Sequence, residues 1–85
     1  MPARVAIPCA ILLAMQRDGL LPDVLIASGL VALQTVGVTQ EMVWWCRKRA
    51  FEIRRVHGLD APDAIELDVL VHQITYALNH LAESH

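Results

Sequence analysis

Aromatic residues are scarce in this chain: two tryptophans, one tyrosine and one phenylalanine make up 5% of it, and glycine is equally sparse at four. A β-sandwich or barrel draws on aromatics for its pleated faces and on glycine for its many turns, so neither architecture is expected. Two cysteines, Cys9 and Cys46, are too few for a disulfide framework. Both stand among apolar neighbours, where a thiol serves as a small hydrophobe, and a reducing, cytoplasmic setting follows as the expectation. The start resembles a signal peptide only in outline, since Pro8 interrupts its apolar run and Gln16-Arg17-Asp18 stands where small residues would mark cleavage.

Neither sign of charge dominates. Seven Lys and Arg stand against nine Asp and Glu, a net charge of −2, so only a local concentration of charge could point to nucleic acid. The longest apolar run, Val24 to Val38, includes Gln34 and Thr35 and is preceded by Pro22 and Asp23. It falls short of the roughly 20 residues that span a bilayer. No nucleophile with its base, phosphate loop or pair of carboxylates in apolar surroundings can be assembled, so no enzyme is expected and no cofactor is implied. His72 and His80, eight residues apart with Tyr76 between them and Asp68 ahead, would need ligands from another helix, and no metal is expected.

What the chain has is apolar content, 55% of its residues, with a mean hydropathy of +0.43. Eighty-five residues make one domain near the size at which a single core is only just adequate. The pattern predicts a compact all-α domain of four helices over residues 1–85, opened by an extended arm at 1–7. Pro8 suits the start of helix one, which runs from Cys9 to Asp18 and closes at Gly19. Helix two, residues 22–36, is apolar on nearly every side and is expected at the centre of the bundle, ending at Gly37.

Helix three follows from Thr39 as N-cap to His57, closed by Gly58. Met42, Val43, Cys46, Ala50, Ile53 and Val56 form its inner face, and Trp44, Lys48, Phe51, Glu52 and Arg55 its outer one. Asp60 caps helix four, where Leu67, Leu70, Val71, Ile74, Ala77, Leu78 and Leu81 make nearly a heptad seam. Neighbours on a helix diverge by about 100°, so Trp44 and Trp45 cannot both point inward, and Trp44 is expected at the surface with Phe51 a heptad later. Five of the seven basic residues, Arg47, Lys48, Arg49, Arg54 and Arg55, crowd the same helix. Cations interleaved with aromatics suit a phosphate backbone or a protein interface; equally, cations late in a helix compensate its dipole, and Glu52 can pair with Lys48 and Arg55.

One longer pattern stands out: Ala32 to Cys46, with Val36-Gly37-Val38-Thr39-Gln40 at its centre and Val43 and Cys46 six and nine places after the glycine. It resembles the helix-turn-helix of Cro- and repressor-like DNA-binding domains, departing from them at Leu33, where those domains place a small residue. The resemblance implies that helices two and three form the motif. Thr39, Gln40, Trp44 and Trp45 would then approach bases and Arg47 and Lys48 phosphates of double-stranded DNA, as a dimer on paired half-sites. Two other functions remain open. One is a helical adaptor or inhibitor that meets a protein partner through Trp44, Phe51, Arg55 and the rest of the basic stripe. The other is a small membrane-active, holin-like protein that inserts as a hairpin. A homo-oligomer fits the first two, with helix four supplying a further surface.

Overall fold

The computed structural model describes residues 3–21 and 33–83. Its elements run β1 (Arg4–Pro8), α1 (Cys9–Arg17), β2 (Leu33–Gly37), α2 (Gln40–His57) and α3 (Pro62–Glu83). The expectation of an all-α, four-helix domain is therefore wrong: three helices pack with a two-stranded antiparallel ribbon. The arm expected at 1–7 contains β1, and the last turn expected of helix two is β2. Residues 22–32, the rest of that helix and of the apolar run, lie outside the described residues.

The strands pair with Arg4 opposite Gly37, Val5 opposite Val36, Ala6 opposite Thr35, Ile7 opposite Gln34 and Pro8 opposite Leu33. One step further, the Val38 N–H donates to the Ala3 carbonyl at 2.8 Å. In an antiparallel pair, residues alternate between exchanging hydrogen bonds and turning their backbone groups away. Ala3, Val5 and Ile7 thus face β2 with their N–H and C=O, whereas Arg4, Ala6 and Pro8 turn theirs to the free side. Pro8 falls where no ladder donor is needed, which is why proline is tolerated there. Side chains alternate by the same rule: Ile7 and Val36 are buried, while Arg4, Ala6, Leu33 and Thr35 are exposed.

Pro8, extended at φ −58° and ψ 141°, is also the residue from which α1 springs. At the other end Gly19 takes φ +83°, the Leu20 N–H reaches the Met15 carbonyl at 2.9 Å, and the Gly19 N–H reaches Gln16 at 3.0 Å. These two bonds satisfy carbonyls that would otherwise be orphaned, and the left-handed conformation they require favours glycine. Thr39 precedes α2 in extended conformation, but its side chain makes no capping bond; its carbonyl accepts from the Met42 N–H at 3.1 Å. Gly58, at φ +99°, ends α2. α3 opens with Pro62, so Ala61 and not Asp60 is the residue that flanks it, and the Ala61 carbonyl accepts the Ala64 N–H at 3.1 Å.

α2 and α3 form an antiparallel hairpin, and the ribbon and α1 close the core around it. Ile7, Leu12, Met15, Val43, Cys46 and Ile74 are its largest fully buried side chains. Sealing a large aliphatic side chain from water contributes about 1.5–3 kcal/mol. Met42, Val43, Cys46 and Ala50 are the buried positions of α2, with Ile53 packed partly against the core, at the expected helical spacing. Val56 is the exception, at 76% exposed. On α3, Leu67, Leu70, Val71 and Ile74 are buried and Ala77 and Leu78 pack at the margin; the side chain of Leu81 lies outside the described residues. Both thiols are buried, and burial pushes that of Cys46 up to about 11.

Candidate functional site

Three side-chain contacts tie α2 to its neighbours. The indole N–H of Trp45 donates to Asp18 Oδ2 at 2.6 Å, joining α2 to the end of α1. Arg54 grips the Asp68 carboxylate with both terminal nitrogens, the Nη1 bond measuring 3.3 Å, and its Nε donates to the Leu59 carbonyl at 3.2 Å. That bond holds the Asp68 carboxyl below its ordinary value and the Arg54 guanidinium above its own. Of the five cations on α2, Arg54 is thus engaged with α3, and its charge is compensated there.

The remaining cations face outward. Taking 100° per residue, Trp44, Arg47, Lys48, Phe51 and Arg55 fall within an arc of about 100°. All five are exposed, Trp44 by 60% and Phe51 by 64%. The Arg47 guanidinium lies 5.5 Å from the centroid of the Trp44 ring, within range of a cation–π attraction. Arg49 stands on the adjoining side, 5.4 Å from the Trp45 ring. No ion pair joins Glu52 to Lys48 or Arg55 among the described residues. The face is an aromatic pair a heptad apart, framed by guanidinium and ammonium groups.

Thr39 and Gln40, also expected at a binding surface, are exposed where the chain leaves the ribbon, one turn before Trp44. The structure brings Gln40 to the same side of α2 as Trp44. Trp45 is turned away toward α1, half-buried, and does not share the face. The helix-turn-helix itself is not formed. The segment that should be its supporting helix reads Leu33–Gly37 as a strand, so the turn at Gly37 joins strand to helix.

A second surface escaped the sequence reading. Between β1 and the outer side of α3 runs a groove of about 760 Å³, whose walls include Arg4, Ala6, Ile11, Val69 and Tyr76. The β-branched Val5 and Ile7, two places apart with the charged Arg4 on the opposite face, were the signal for the strand that forms one wall. Further along α3, Tyr76 stacks on His80 with ring centroids 5.8 Å apart and planes within 5°. Among the described residues no group of three His, Cys, Asp or Glu side chains could hold a metal ion, and no helix is long and apolar enough to cross a membrane. Comparison with protein-family models, with curated proteins and with solved structures finds nothing that matches this chain.

Proposed function

We propose that this chain is a protein-interaction module that presents the outer face of α2 to an acidic segment of a partner protein. The observation that carries the reading is the exposure of Trp44 and Phe51 on one side of the same helix, with Arg47 stacked on the first ring. Large aromatics and arginine are the residue types on which interface energy concentrates, because they remove much apolar surface from water and retain a polar edge. The cations beside them favour a partner carrying carboxylates, whereas two half-exposed aromatic rings gain little from phosphates alone. Double-stranded DNA is the competing ligand for the same cations, and with a strand, Leu33–Gly37, leading into the turn its case rests on charge.

Selection from a displayed peptide library against the purified chain tests the reading. Acidic peptides with large apolar side chains at helical spacing should be enriched, and Trp44→Ala or Arg47→Ala should weaken their binding at least tenfold. Enriched peptides that bind Trp44→Ala as well as the parent chain would overturn the proposal. So would salt-dependent retardation of duplex DNA, lost in Arg47→Ala, in the absence of peptide binding.

A further inference from the structure

The groove beside β1 has two walls of different kinds. One is a strand edge: Arg4 and Ala6 turn their N–H and C=O away from β2, and among the described residues no backbone group answers them. The other is the outward side of α3, where Val69 is 52% and Tyr76 71% exposed despite their size. A five-residue strand with a free edge readily accepts another strand, and an apolar floor beside it gives that strand's side chains somewhere to go.

We infer that the groove is filled by a second copy of this chain, β1 pairing antiparallel with its counterpart across a two-fold axis at Val5. The reasons lie in the self-complementarity of both walls. With the axis at Val5, Arg4 of each copy exchanges both backbone bonds with Ala6 of the other, so all the outward groups of these two residues are answered. A register moved toward Pro8 would set a residue that cannot donate opposite Arg4. The helix wall obeys the same symmetry. The α3 residues lining the groove, from Glu66 to His80, are arranged evenly about Gln73. An antiparallel copy crossing at Gln73 therefore sets Val69 against Ala77 and leaves Tyr76 of each copy on the shared surface. It also brings Glu66 of each copy beside His80 of the other at both ends. The product is a four-stranded sheet, β2-β1-β1-β2, backed by two α3 helices. Isologous pairing of this kind is the commonest way in which identical chains associate. It leaves both α2 faces on the outside, so the inference does not depend on the function proposed for them.

Sedimentation velocity on the full chain, from about 5 µM to about 500 µM, should show a species of twice the 9.4 kDa chain mass. Ala6→Pro deletes one outward N–H and none of the bonds to β2. Val69→Lys with Tyr76→Lys places charge on an already exposed surface. Each change should shift the dimer to monomer by at least tenfold in dissociation constant while the circular dichroism spectrum stays that of the parent. A direct readout is available from Val5→Cys. Residues facing each other at such an axis lie about 4.5–5.5 Å apart, close enough for the two cysteines to join under mild oxidation. A monomer throughout the concentration range would overturn the inference. So would a dimer that neither surface change weakens and that Val5→Cys fails to cross-link, because its contact would then lie elsewhere.

Discussion

Trp45 and Asp18, 27 positions apart in sequence, are joined by a hydrogen bond of 2.6 Å from indole to carboxylate. Its effect is to decide which of two adjacent tryptophans belongs to the fold. Trp45 is turned toward α1 and held there, and the helical step of about 100° then sends Trp44 outward. Asp18→Ala should cost about 1 kcal/mol in urea unfolding, the ordinary net worth of an intramolecular hydrogen bond. Trp44→Ala should change stability by less than about 0.5 kcal/mol, as expected of a surface position. Equal losses for the two would mean that Trp44 is also part of the packing.

The clasp between Arg54 and Asp68 makes stability depend on acid. Its hydrogen bond lowers the pKa of Asp68 in the folded chain relative to the unfolded one. The stabilisation is therefore complete above the ordinary carboxylate value of 3.8 and is lost as pH falls through the depressed folded value. Asp68→Asn should remove that part of the acid limb and leave the neutral-pH spectrum unchanged. An acid unfolding curve identical in the two proteins would show that the clasp contributes nothing.

At the alkaline end the sign reverses. The Cys46 thiol, pushed by burial from 9.0 up to about 11, ionises more readily in the unfolded chain. Its contribution is fully present below pH 9 and declines as pH rises toward 11. Cys46→Ala should flatten this decline. A thiol reagent at pH 8 should label the native chain slowly at both Cys9 and Cys46, which are 6% and 0% exposed, and rapidly once urea opens it.

Two aliphatic residues that the helical pattern treats alike should separate sharply on truncation. Ile74 is fully buried and Val56 is 76% exposed. Ile74→Ala should cost about 2–5 kcal/mol through lost burial and the cavity left behind. Val56→Ala should be nearly neutral, and thermal unfolding of the two variants is enough to compare them.

The helical half of the molecule was legible from its punctuation. Gly19 and Gly58 end helices where expected, and both take the positive φ that justifies a glycine. The inner faces of α2 and α3 follow the 3.6-residue period, and Trp44 and Phe51 fall outside it for the same reason. The ribbon was misread because each strand is only five residues long and its partner lies far away in sequence. Thr35, Val36 and Val38 favour a strand, but they follow an apolar run long enough to read as a helix continuing to Gly37. Leu33, the residue that fits the helix-turn-helix pattern worst, is the first residue of β2. The groove could not be seen at all, since strand pairing brings Arg4 beside α3 and local spacing carries no trace of it.

Pro8 ends β1 and the next residue begins α1, so strand and helix meet without an intervening linker. The proline ring fixes one of the two torsions at that joint. A single residue inserted between Pro8 and Cys9 would swing α1 by about a quarter-turn about its axis, lifting Leu12 and Met15 out of the interior. The joint works as a welded bracket: the angle at which α1 leaves the ribbon is set by covalent geometry, and the interior is cut to fit that angle.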